Sequence, residues 1–381
     1  MQPYRIFLHH HKRGAFRATH RDKAPRKTHH APVIRADLDL LADLPPDPED
    51  RVPAPLATRA RAKTSPAKTP EHKTFPPPAA IPAWARAGGR AGQGDPLFFA
   101  GAGLALLDAA LRADPPAAGA LRARLALKSA AASAKILRVN ADEAALRDLS
   151  FAVGDPLGPA ANLLTIWRDC AGRPPSLDPA RIGDAAARLD LAVDPSGLAA
   201  SLKACAGEGD PVSAAAKAAT AAFSAVPDAR AAEAEILALS VFDTVLAIRL
   251  RWPRPVPLIA TKLLDPTLRS PGAGRRPSPG HPAWPNAAAG AIAFAAASAV
   301  DLAAHLSRRS EILLAVAPKL RSKPAAKIVD LLLAEDCLSP AEAARQARMT
   351  DRAARRLFDR LVLLGAVREL TGRPAFRLYG L

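Results

Sequence analysis

The chain is short of cysteine, of aromatic residues and of histidine outside one end. Three of its 381 residues are cysteines, Cys170, Cys205 and Cys337, and no two form a CxxC pair. That spacing excludes a disulfide framework and a zinc site, and it fits a reducing, cytoplasmic setting. Aromatic residues make up only 4% of the sequence, whereas β-rich cores draw on Val, Ile, Tyr and Phe. Seven of the nine histidines fall in the first 80 residues, which leaves His281 and His305. Neither belongs to an HxxxH, HExxH or HD pair, so the sequence nominates no metal site. No GxSxG is present, and Gly101-Ala102-Gly103 and the Gly88 to Gly92 run lack the Lys-Ser/Thr of a phosphate loop. No catalytic residue and no cofactor is implied. Long hydrophobic runs are missing too. The most apolar stretch, Ala287 to Val300, is about 14 residues against the roughly 20 that span a bilayer. It reads as a buried helix, with no membrane partner. His9, His10, His11, Lys12 and Arg13 follow Met1 before any long apolar run, which is unlike a secretory leader.

What is present is alanine, leucine and arginine. Hydrophobic residues reach 49%, enough for a sizeable core, and an Ala/Leu core predicts helices. The net charge is +17, which favours nucleic acid as a polyanionic partner. Arginine outnumbers lysine 39 to 14, as GC-rich coding produces, so part of that charge is compositional.

The chain divides into three parts. Residues 1–80 hold 13 of the 38 prolines and predict a disordered, basic Pro/His-rich tail. Its first 30 residues carry eight basic side chains against Asp22 alone, and such an arm can add non-specific phosphate contacts. Residues 81–318 predict an all-helical domain. Leu97, Leu104, Leu107 and Leu111 mark a helix from Pro96 to Ala113, and another runs from Leu121 to Leu137. Asn140 with Glu143 suggests a capping box for a helix through Leu149, and Asp178-Pro179 opens the next. Residues 228–252 form the longest amphipathic stretch, 265–285 a loop, and 286–306 and 308–316 two closing helices.

Residues 319–381 predict a winged helix-turn-helix. A first helix spans Pro324 to Glu335. Ser339, Pro340 and Glu342 supply a cap, a first-turn proline and a capping box for a short second helix ending near Ala347. Thr350 caps a third, Asp351 to Leu364, which Gly365 terminates. Segments 366–370 and 375–379 around Thr371-Gly372-Arg373-Pro374 predict a hairpin wing. This module carries 13 basic and 7 acidic side chains. At 100° per residue Ala353, Ala354, Leu357, Leu361 and Leu364 share the packed face, and Arg352, Arg355 and Arg356 the opposite one, with Asp359. Arg360 flanks them, and Arg373 sits at the wing tip. In this architecture the third helix enters the major groove. The DNA-facing set is Arg348, Thr350, Arg352, Arg355, Arg356, Arg360 and Arg373. Val362 and Leu363 point outward, either to pack on the preceding domain or to make a homodimer contact.

Five segments resemble one known family: LFFAGAGLALLDAALR from Leu97, NADEAALRDL from Asn140, PVPLIA from Pro255, APKLRSKPA from Ala317, and RRLFDRLVLLGAVRELTGRPAFRLYGL from Arg355. From about Trp84 onward the chain is similar to the domain-of-unknown-function 1403 family, alphaproteobacterial and often plasmid-borne. The resemblance implies a setting and no mechanism. The residues themselves favour a duplex-DNA-binding regulator or accessory factor. A helical adaptor that docks protein is the alternative. A third reading is an enzyme built on Asp142, Glu143 and Asp148, carboxylates that also suit a helix start.

Overall fold

A computed structural model describes residues 77–381 apart from 88–93, 153–157, 227–229, 269–275, 321 and 374–375. The chain divides into two units, Met1–Pro70 and Glu71–Leu381, and the second is compact. The first unit, which holds most of the expected tail and its basic arm, lies outside the described residues. So does the Gly88 to Gly92 run.

The second unit is mainly helical. Its helices are α1 (Pro96–Arg112), α2 (Ala118–Ile136), α3 (Glu143–Leu149), α4 (Pro159–Gly172), α5 (Pro179–Arg188), α6 (Pro195–Ala206) and α7 (Pro211–Ser224). They continue with α8 (Ala231–Arg249), α9 (Ile259–Leu263), α10 (Trp284–Val316), α11 (Lys323–Ala334), α12 (Pro340–Ala347) and α13 (Asp351–Leu363). Two strands of two residues each, β1 (Arg368–Glu369) and β2 (Tyr379–Gly380), pair antiparallel.

Four of these helix starts follow one local rule. Asp95, Asp178, Asp194 and Asp210 each precede a proline, and each side chain accepts a hydrogen bond from a first-turn amide. The carboxylate satisfies an orphan donor, and proline fixes φ where its missing N–H costs nothing. At α3 the cap is Asp142, which accepts from the Ala145 amide at 2.8 Å, and not the expected Asn140. Asp142 stands directly before the first helical residue, where its oxygen reaches the third amide.

The closing pair of helices is a correction. The chain runs through as the single 33-residue α10. The expected break falls at Ser307, inside that helix. The Ser310 hydroxyl donates to the Ser307 carbonyl at 2.8 Å, so both serines are buried within the helix without interrupting it. By length and composition this helix could cross a bilayer, but 67% of its apolar window is buried inside the protein.

α10 packs along α1 and also meets α2, α7 and α9. Small residues set the spacing. A Cβ on Gly103 of α1 would stand 2.9 Å from the Ala296 Cβ of α10, so glycine allows that approach. A second close crossing joins α2 to α11, where a Cβ on Gly119 would sit 2.7 Å from the Ala334 Cα. Through that crossing, the last three helices are seated on the body.

Candidate nucleic-acid interface

The site is built on α11, α12, α13 and the two strands. Ser322, Ser339 and Thr350 cap the three helices, accepting from Ala325, Glu342 and Ala353 amides at 3.3, 3.1 and 3.2 Å. The Glu342 carboxylate binds the Arg345 and Gln346 side chains at 2.6 and 2.5 Å, so its partners lie within α12. The turn from α12 to α13 is tight because Arg348 adopts φ 54° and ψ 51°, the left-handed conformation. Gly365, at φ 67°, ends α13 the same way.

The hairpin pairs Arg368 with Gly380 and Glu369 with Tyr379. Leu338, between α11 and α12, joins Tyr379 from the other side with hydrogen bonds of 2.8 and 2.9 Å. The module therefore runs helix, bridge residue, helix, turn, helix, strand, strand.

The packed face of α13 differs from the wheel by one position. Ala354, Phe358 and Leu361 are fully buried, while Ala353, Leu357 and Leu364 are half-buried. Phe358 stacks on Tyr379 with ring centroids 4.5 Å apart and planes 12° apart. A ring held flat on the sheet draws the helix round toward it and lifts Leu357 to the margin. The 354/358/361 spacing carries this signal, and Phe358 is the residue that the expected face leaves out.

The expected site residues fall into three environments. Arg352, Arg356 and Arg360, spaced by four, form one exposed row along α13. Asp351, Arg355 and Asp359 form the next row and line a cleft of about 320 Å³ whose other walls include Phe151, Phe376 and Arg377. There Arg355 pairs with Asp351 at 2.6 Å. Arg348 and Thr350 are exposed at the turn. Arg373 is apart from these: it binds Asp148 of α3 at 2.6 Å, and Phe376 meets Phe151 edge-on at 6.3 Å. The described part of the hairpin is thus drawn onto the body, not extended into solvent. Val362 and Leu363 are 40% and 74% exposed.

A buried carboxylate ties this module down. Asp336 accepts from Arg124 and Arg147 Nε atoms, both at 2.6 Å. Burial pushes its carboxyl up, but hydrogen bonds and charge from Arg147 and Arg124 outweigh that and hold it below the usual range. Residues 69–381 match the family described as "Protein of unknown function (DUF1403)". The chain belongs to the DUF1403 family. No curated protein matches it.

The DUF1403 unit thus includes both the helical body and the basic module. Within the body, the three carboxylates that suggested an enzyme are each engaged. Asp142 caps α3, Glu143 contacts Lys128 at 3.4 Å and Arg147 at 3.6 Å, and Asp148 holds Arg373. His281 accepts from the Ala283 amide through Nδ1 at 3.1 Å. His305 stands 63 positions from its neighbour Arg368 yet lies 3.4 Å from its guanidinium. Arg368 and Arg377, both on the hairpin, fall outside the expected set. Their alternation with buried Val367 and Leu378 is the available sign.

Proposed function

We propose that residues 319–381 of this DUF1403 protein are a winged helix-turn-helix that binds duplex DNA. In this reading the chain is a cytoplasmic regulator or accessory factor that acts without a cofactor. One observation carries the reading: α13 buries Ala354, Phe358 and Leu361 while presenting Arg352, Arg356 and Arg360 along one exposed stripe. A helix with a packed back and a cationic front suits insertion into a major groove, where guanidinium groups grip phosphate or guanine. The helix-bridge-helix-turn-helix-hairpin order supports the same architecture. The proposed contact set is the exposed row Arg352, Arg356 and Arg360, with Arg348 at the turn and Arg355 in the neighbouring row. For the Arg373 wing tip to touch phosphate, it must first leave Asp148.

The test is fluorescence anisotropy of the full chain against random-sequence duplex at several salt concentrations. Replacing Arg352, Arg356 and Arg360 with Ala should weaken binding. It should also flatten the log–log salt slope by about 0.9 for each phosphate no longer neutralised. Circular dichroism should remain unchanged. Equal affinity and slope for the two proteins would reject the reading.

The second reading is a helical adaptor whose module docks protein. It draws on the exposed Val362 and Leu363 and on the ion-paired wing residue Arg373. In that case the triple variant keeps its DNA affinity, and Leu363→Asp changes the sedimentation of the assembly.

A further inference from the structure

The far edge of the hairpin meets α10 at an unusual concentration of positive charge. His305 and Arg309 are one helical turn apart on α10, and Arg308 lies beside them. Arg368 of β1 reaches His305 Nε2 at 3.4 Å. Among the described residues, no carboxylate forms an ion pair with Arg308, Arg309 or Arg368. Nε and one terminal nitrogen of Arg309 are shut off from solvent and have no hydrogen-bond partner. Buried guanidinium donors are ordinarily satisfied, because leaving one unmade costs its hydration. The electrostatics point the same way. Burial lowers the proton affinity of His305, and Arg368, Arg124, Arg308 and Arg309 lower it further. Burial and then Arg368 do the same to Arg309.

Arg124 is already committed to Asp336, so it does not serve the cluster. Arg368 and Arg309 repel each other across a seam between two elements, and both act with Arg308 on His305. Folding alone does not favour such a grouping, and a bound anion would relieve it. Guanidinium groups brought from two elements offer more donors than a single carboxylate can accept. A phosphoryl group, with three or more oxygens and up to two charges, matches them. We propose that Arg308, Arg309 and Arg368, gathered around His305, form a phosphate-binding site at the seam of α10 and β1. The ligand is a phosphoryl anion, carried either by a small phosphorylated molecule or by a nucleic-acid backbone. The site stands apart from the α13 row and does not depend on its reading DNA.

The test uses the full chain with inorganic phosphate as the probe, against chloride at equal ionic strength. Thermal unfolding and the C2 proton of His305, identified by its loss in H305Q, are both followed. Phosphate should raise the melting temperature of the wild type and raise the pKa of His305, because the anion offsets the arginine field. Arg309→Met and Arg368→Gln should each weaken phosphate binding roughly tenfold or more. In chloride both variants should be at least as stable as the wild type, since each removes one repelling charge. A purely structural arginine predicts the opposite, a variant destabilised equally in either salt. That result, or a wild type indifferent to phosphate, overturns the proposal. A duplex-DNA arm assigns the source. Weaker DNA binding by R309M and R368Q places backbone phosphate at the site, and unchanged DNA binding assigns a small phosphorylated ligand. The α13 triple variant should keep its phosphate response, so the failure of either reading is visible without the other.

Discussion

Phe358 and Arg348 are the two residues on which the module's geometry turns. Phe358 is fully buried and stacked on Tyr379, whereas Leu357 is only partly covered. Phe358→Ala should therefore cost about 3–5 kcal/mol and Leu357→Ala clearly less, as read by urea denaturation. Equal costs would mean that α13 is rotated about its axis in solution. Arg348 occupies a left-handed conformation that disfavours a side chain with a Cβ. Arg348→Gly should stabilise the fold by up to about 1 kcal/mol while removing one exposed charge. A loss of stability would show that the side chain, and not only the backbone, holds the turn. Thr350 is legible in the sequence as a cap, since capping is a local property. That Arg373 meets Asp148 is not legible, because the partner is 225 positions away.

Among the elements, those with a local start signal are easy to place and those defined by packing are not. The Asp-Pro pair that announces α5 also opens α1, α6 and α7. The same pair at Asp194 and Asp210 places α6 and α7, whereas Asp114-Pro115 opens no helix. The continuity of α10 is illegible because burial of Ser307 and Ser310 depends on neighbours that the sequence does not name. The connection between α11 and α12 reads as a short break, yet its Asp336 is the clamp between module and body. That carboxylate has a lower pKa in the fold than in the unfolded chain. Its contribution is complete above the ordinary aspartate range and is lost as the pH falls below about 4. Asp336→Asn should destabilise by about 3–5 kcal/mol at neutral pH, because two largely buried arginines lose their counter-charge. The variant's stability should then fall less than the wild type's between about pH 4 and 2, measured by denaturant titration. Parallel curves would remove Asp336 from the acid response. His305 is depressed as well, so in phosphate-free buffer its contribution is lost as the pH falls from about 6.5 through its folded value.

On the scale of the whole molecule, the basic module is not a separate bead on the helical body. Both lie in one compact unit from Glu71 to Leu381, joined by the Gly119 crossing, the Asp336 clamp and the Arg373–Asp148 pair. Thermal unfolding followed at two probes, one in each part, should give a single shared transition. Two separated transitions would show that the module melts independently. That body and module share one unit has a mechanical side. α10 is a continuous rod of 33 residues, roughly 50 Å at 1.5 Å per residue. Its Trp284 end is locked in the core, and His305, nearer its other end, lies 3.4 Å from Arg368 on the hairpin's edge. A stiff rod held in this way is a lever. Tilting it by only about 5° around Trp284 would carry its tip roughly 4 Å. Whatever repacks the alanine-lined core around the first turns of α10 therefore moves the hairpin's edge too, without any hinge between them.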